Sequence, residues 1–197
     1  MFLEALLIGI IIGIVKKGRL SNLSYVRFRG WILIIFALFI NILLIFQSKI
    51  PIINGYEHYL YTFGLVLIMA VLAMNLNKKG MWIILLGVFM NFVTVVVNGF
   101  KMPIYFEGLK VAGLNNMLYM IKSGYIANYI DLHEAVGWTK YISKFIVLPK
   151  PYPLAKVMSI GDLIMSLGII RFLYGEMTRL NLSMRNRMIN LGYKIKL

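Results

Sequence analysis

Apolar residues arrive in this chain as long blocks, and that pattern constrains the fold more than any single motif. Five blocks can be read, at 2–15, 31–46, 59–74, 81–97 and about 157–174. Runs of ~14–20 apolar residues have the length of bilayer-crossing helices. Composition points the same way. Hydrophobic residues make up 60% of the 197 residues and charged ones 14%, with a mean hydropathy of +0.81. A soluble domain runs at roughly 45–50% apolar and about 25% charged. The expectation is an all-α integral membrane protein of one domain, residues 1–178. It has five transmembrane helices, amphipathic surface helices between the fourth and fifth, and a basic cytoplasmic tail over 179–197. A soluble enzyme, a disordered chain and a secreted miniprotein are excluded. The absence of cysteine removes disulfides, thiolate nucleophiles and cysteine-bound metals.

The blocks are short for their task. Sixteen residues rise ~24 Å against a hydrocarbon core of ~30 Å, so snorkelling Lys and Arg, interfacial tyrosines or local thinning must supply the rest. The first block has no basic region before it and no small-residue cleavage site behind it. It reads as an anchor rather than a cleaved signal peptide.

The net charge of +14 is clustered next to the blocks. Lys16, Lys17, Arg19, Arg27 and Arg29 occupy one connection, and Lys78 and Lys79 another. Arg179, Arg185, Arg187, Lys194 and Lys196 occupy the tail. Lysine and arginine in such places set topology and meet anionic lipid. The expected partners are therefore the bilayer and its anionic lipids, with a membrane-protein partner as a further option and no nucleic acid. The connection before the second block holds five basic residues and the one after it only Lys49. This places the N-terminus outside and the C-terminus in the cytoplasm. The connection 98–156 is then extracytoplasmic. Its basic residues are diluted over a long stretch and offset by Glu107, Asp131 and Glu134.

Within that connection, Leu114, Met117, Leu118, Ile121, Tyr125 and Ile126 have helical spacing. They predict one helix within 109–130. Asp131 can cap a second, with Ala135, Val136, Ile142, Phe145 and Ile146 on its apolar face. Pro149, Pro151 and Pro153 then force an extended return. The two helices are expected to lie on the outer surface or dip into the bundle.

Polar residues inside spans are expensive and usually face the bundle interior or a cavity. Asn91, Thr94 and Asn98 lie at i, i+3 and i+7 in the fourth block, as do Ser159, Asp162 and Ser166 in the fifth. Opposite chain directions put Asn98 level with Ser159, and Thr94 level with Asp162, ~5–6 Å further in. Asn41, Thr62 and Glu4 also fall in the outer halves. One polar cleft open to the outside accounts for this distribution, with Asn91, Thr94, Asn98, His133, Ser159 and Asp162 as its ligand-binding residues. Structural roles compete at the same positions. Ser159 and Asp162 have the spacing of a capping box, Asn98-Gly99 can be a helix stop, and Asn91 can bond a neighbouring helix. His133 can be surface-exposed, and His58 has no partner at suggestive spacing. Gly9 with Gly13, and Gly161, Gly168 and Gly175 at seven-residue steps, allow close helix packing.

No standard catalytic, phosphate-binding or metal motif is present, and no cofactor is expected. The favoured function is binding of a lipid head group, a small polar ligand or a partner subunit. The alternatives are a membrane-embedded enzyme on an extracytoplasmic or lipid-linked substrate, with Asp162 and His133 as base and acid, and an ion-coupled transporter centred on Asp162.

Asn98-Gly99-Phe100-Lys101-Met102-Pro103, His133, and Ser159-Ile160-Gly161-Asp162 ahead of Gly168 resemble the pattern N-G-x-x-M-P … S-x-G-D-x-x-x-x-x-G. That pattern marks a bacterial family of small multi-pass membrane proteins known as a domain of unknown function. The resemblance covers most of 1–175. It implies that Asn98, Gly99, Met102, Pro103, His133, Ser159, Gly161, Asp162 and Gly168 are signature positions, and it implies no activity. The resemblance also implies a further Asp, often carried shortly before the proline-rich return, whereas 144–148 here has no carboxylate. The departure disfavours a two-carboxylate metal site.

Overall fold

The computed structural model describes residues 1–46 and 55–179. Lys49 and the tail beyond Arg179 lie outside the described residues. The molecule is mostly helical. Long apolar helices form at Phe2–Val15 (α1), Trp31–Ile45 (α2), Glu57–Met74 (α3), Met81–Val97 (α4) and Ile160–Met177 (α7). Among the described residues, α3 is the one helix both long and apolar enough to cross a membrane. Helices α1, α2 and α4 are apolar but shorter. Helix α7 has the length, but Asp162, Arg171 and Glu176 lower its apolar character.

Packing follows the small residues. A methyl group on Gly161 would lie 2.7 Å from the Gly87 carbonyl, and one on Gly80 would lie 2.5 Å from the Gly168 carbonyl. The two pairs are seven residues apart on each helix and run in opposite directions, so α4 and α7 are antiparallel with backbones in near contact. Gly9 meets Leu173 and Gly13 meets Met177, a constant offset that makes α1 parallel to α7. Helix α2 packs on α3, and α3 on α4. The helices thus follow one another as α2, α3, α4, α7 and α1, with α1 and α2 the two ends of the series.

The connection from α4 to α7 departs from the expected pair of amphipathic helices, and the molecule is not purely helical. Instead it folds as a cap. Short helices Phe106–Val111 (α5) and Asn115–Lys122 (α6) replace one continuous helix. The break falls at Gly113, whose φ of +71° ends the first piece. Four three-residue strands accompany them: Met102–Ile104 (β1), Tyr129–Asp131 (β2), Ile146–Leu148 (β3) and Lys156–Met158 (β4). β1 pairs in parallel with β2, Met102 opposite Tyr129, and β3 pairs antiparallel with β4, Ile146 opposite Met158. A single bridge, Ile104 with Lys144, joins β1 to the residues before β3.

The second expected helix, after Asp131, is reduced to two 3₁₀ turns, Leu132–Glu134 and Gly137–Tyr141. Asp131 does cap the first, accepting from the His133 N–H at 3.3 Å. Gly137, at φ +46°, interrupts the run. Thr139 is fully buried and tied to Asn98, the residue that ends α4, a tertiary bond that outweighs the local helical pattern. Ile104, Leu109, Ala112, Leu118, Ile121 and Val157 give the cap its own apolar core.

At the far end of the bundle, fully buried Asn75 accepts from the Arg29 N–H at 3.0 Å and from Lys78 Nζ at 2.7 Å. Its amide donates to the Arg29 and Val71 carbonyls. Burial pushes the Lys78 ammonium below its ordinary pKa, partly offset by buried Glu176. This polar knot ties the connection before α2 to the α3–α4 turn.

Candidate functional site

Ser159 sits in extended geometry just before α7 and accepts from the Asp162 N–H at 3.0 Å, while Asp162 Oδ2 accepts from the Ser159 N–H at 3.1 Å. This is a complete capping box, and the carboxylate also lies at the positive end of the helix dipole. Asp162 does more than cap. Its Oδ1 accepts from Asn91 Nδ2 at 2.9 Å, and its Oδ2 accepts from Lys144 Nζ at 3.1 Å. Ser159 Oγ donates to Asn91 Oδ1 at 2.7 Å. Asn91, Ser159, Asp162 and Lys144 therefore form one closed network across α4, the α7 N-terminus and the cap.

The Met102-Pro103 motif positions the lysine. Both residues are buried in β1. The Pro103 carbonyl accepts from the Lys144 N–H at 3.1 Å, and the Lys144 carbonyl accepts from the Tyr105 N–H at 2.9 Å. With its backbone fixed on both sides, the side chain reaches Asp162 and keeps 18% of its surface exposed. Burial opposes its charge, but the surroundings formed by Tyr129, Asp162 and Tyr61 outweigh that and raise the ammonium above the usual lysine pKa.

The remaining candidates divide. Asn98 is buried and does not join the network through its side chain. Its Nδ2 donates to the Thr94 carbonyl and to Thr139 Oγ1, and its Oδ1 accepts from the Val136 N–H at 2.8 Å. It fastens the cap to α4. Gly99 and Phe100 follow at φ +66° and +64°, reversing the chain into β1. Thr94 is fully buried and spends its hydroxyl on the Met90 carbonyl. Ser166 donates to the Asp162 carbonyl at 2.8 Å. Gly161 and Gly168 serve the α4 contact. His133 is exposed, with its ring 6.5 Å from that of Tyr105. Thr62 bonds within α3 and Asn41 within α2. His58 packs with Tyr59 and lies near Phe100.

Three residues gain importance that periodicity did not give them: Lys144, Lys156 and Tyr152. Glu4 of α1 accepts from Lys156 Nζ and from the Tyr152 hydroxyl, and pairs with the Met1 amino group at 2.6 Å. A cavity of about 310 Å³ lies between the two charged groups. Its lining includes Met1, Phe2, Lys144, Lys156, Asp162 and Ser166. A second cavity of about 310 Å³ is lined only by apolar side chains, among them Leu6, Phe28, Ile34, Ile68 and Phe172. Phe2 and Ile169 line both. No cluster of three or more His, Cys, Asp or Glu side chains suited to a metal occurs among the described residues.

The model of DUF5317, a family of unknown function, matches residues 25–174, which include both sequence motifs. No curated protein and no solved structure matches the chain.

Proposed function

This chain belongs to DUF5317, a family of unknown function, and from that premise we propose that it is a five-span membrane protein that binds a polar group in a cleft on the extracytoplasmic side. Helices α1, α2, α3, α4 and α7 are the spans, and the cap closes the outer end. The observation that carries this reading is the closed network of Asn91, Ser159, Asp162 and Lys144 beside a cavity of about 310 Å³. That volume is at the small end of ligand pockets, which set a few fixed polar groups against a largely apolar wall. Basic clusters at Lys16–Arg29 and Lys78–Lys79 support the orientation.

Binding is favoured over turnover because every strong contact to Asp162 complements a carboxylate already occupied as an acceptor. His133 is exposed and packs on Tyr105, which leaves the acid–base reading without a second group. Binding is favoured over conduction because the cavity below the network is lined only by apolar side chains. Native mass spectrometry of the full chain, released gently from the membrane, tests the proposal. The wild type should retain a non-protein mass that is lost in Ser166→Leu, which fills the cavity without touching the ion pair. Bare protein in both samples would contradict it. Gradient-dependent uptake into proteoliposomes, abolished by Asp162→Asn, would favour a transporter instead.

A further inference from the structure

The two cavities adjoin, sharing Phe2 and Ile169 as lining, and they differ sharply in chemistry. One has a polar wall on which Lys144 and Lys156 outnumber the single lining carboxylate, Asp162. The other has apolar lining throughout, reaching Ile84 and Met81 at the start of α4 and Phe172 on α7. From Asp162 to Phe172 is ten helical residues, about 15 Å along the axis. The chamber is bounded by α1 through Leu6 and by α2 through Ile34. Those two helices are the ends of the packing series, with no extensive contact between them. The side between α1 and α2 is therefore the one that the helix series does not close by direct packing.

We propose that the cleft and the chamber together hold one amphiphile, with an anionic head group on Lys144 and Lys156 and its hydrocarbon chain in the apolar chamber. This deepens the binding reading above and rests on it. A small polar solute would leave the chamber unused, and a neutral amphiphile would offer no anion to Lys156, which lines the cavity while its partner Glu4 does not. Lys156 already holds an anion, the Glu4 carboxylate, so an anionic head group competes for a partner of the type this ammonium accepts. Tyr152 reaches the same carboxylate at 2.9 Å. Displacing Glu4 from Lys156 leaves its carboxylate to the Tyr152 hydroxyl and the Met1 amino group.

The test uses the full chain in neutral maltoside micelles and equilibrium binding of radiolabelled dodecyl phosphate, inorganic phosphate and dodecanol. Dodecyl phosphate should bind at least about 30-fold tighter than either of the other two, because each half of the site adds its own contribution. Lys156→Gln should weaken dodecyl phosphate about 10-fold, as expected for one lost charge-assisted bond. Ile34→Trp fills the chamber and should weaken it about 10-fold as well, while leaving inorganic phosphate unchanged. Gel filtration and thermal unfolding establish that both variants are folded, and Leu6→Trp replaces Ile34→Trp if that one is not. Equal affinity for inorganic phosphate would overturn the amphiphile and leave a simple anion cleft. Equal affinity for dodecanol would overturn the anionic head group. If no probe binds, while the retained mass lost in Ser166→Leu persists, this inference fails and the binding cleft stands. If no probe binds and no mass is retained, both fail.

Discussion

Substituting Gly161 by alanine puts a methyl group where α4 and α7 leave no room. The added carbon would sit 2.5 Å from Asn91 Oδ1 and 2.7 Å from the Gly87 carbonyl. The first neighbour is held by Ser159 and Asp162 and the second is backbone, so neither swings aside cheaply. Forcing an extra carbon into a packed interface costs about 1–3 kcal/mol. Alanine regains up to ~1 kcal/mol of helix propensity, and less than that in a first turn. The expected net loss is about 1–2 kcal/mol, with the Asn91–Asp162 bond lengthened as the helices part. Gly64→Ala on α3 is the matched control. Its methyl would meet Ile40 at 3.7 Å and the Asn41 amide at 3.9 Å, ordinary contact distances. It should gain stability by up to ~1 kcal/mol. Denaturation by sodium dodecyl sulfate in mixed micelles, followed by tryptophan fluorescence, reads both. If Gly161→Ala matches or exceeds the wild type while Gly64→Ala behaves as expected, backbone contact between α4 and α7 does not hold the site together.

Breaking the Lys144–Asp162 pair should be costly even though the two side chains keep 18% and 17% of their surface. A double-mutant cycle of Lys144→Met and Asp162→Asn should give a coupling of about 1–2 kcal/mol, discounted for that exposure, and no measurable coupling would contradict the network. Asn98→Ala should leave the bundle intact but cost about 1–2 kcal/mol locally, seen as faster hydrogen exchange at the Val136 amide, which now lies 2.8 Å from Asn98 Oδ1. Unchanged exchange there would remove Asn98 as the cap's fastener. At Lys156, burial lowers the pKa but bonding to Glu4 and the N-terminus raises it further, so the folded value exceeds the ordinary 10.5. A raised pKa contributes stability that is complete below the unfolded value and is lost as pH rises through the folded one. The stability difference between wild type and Lys156→Gln should be flat from neutral pH to about pH 9, shrink above the ordinary lysine pKa, and shrink separately in acid where Glu4 is protonated; a difference that vanishes between pH 7 and about pH 9 would contradict the assignment.

Block length and polar spacing made much of the bundle legible. The five apolar helices begin and end close to the sequence blocks because their interior has no competing turn chemistry. The glycine steps in α1 and α7 proved to be intrachain contacts with Leu173, Met177, Gly80 and Gly87. Depth matching brought α4 and α7 together correctly but paired the wrong rungs. Asn91 meets Asp162, while Thr94 turns inward on its own helix. The cap was misread because its apolar periodicity is overruled by contacts far along the chain. Asn98 bonds Thr139 across 41 positions, and β1 lies between β2 and Lys144. Lys144 itself carries no local signal. It looks like one of several dispersed loop lysines, and only backbone pairing with Pro103 and Tyr105 aims it at Asp162. Lys156 and Tyr152 become partners of Glu4 for a similar reason, since the interval between them exceeds 145 residues.

The membrane orientation of the cleft is tested most directly by single cysteines placed in this cysteine-free chain. Ser21 lies in the basic connection after α1, Tyr56 just before α3, and Ser123 after α6 in the cap, all of them exposed. An impermeant maleimide applied to intact cells should label Tyr56→Cys and Ser123→Cys and leave Ser21→Cys unlabelled until the cells are opened. Labelling of Ser21→Cys on intact cells, or protection of both Tyr56→Cys and Ser123→Cys, would contradict an extracytoplasmic cleft.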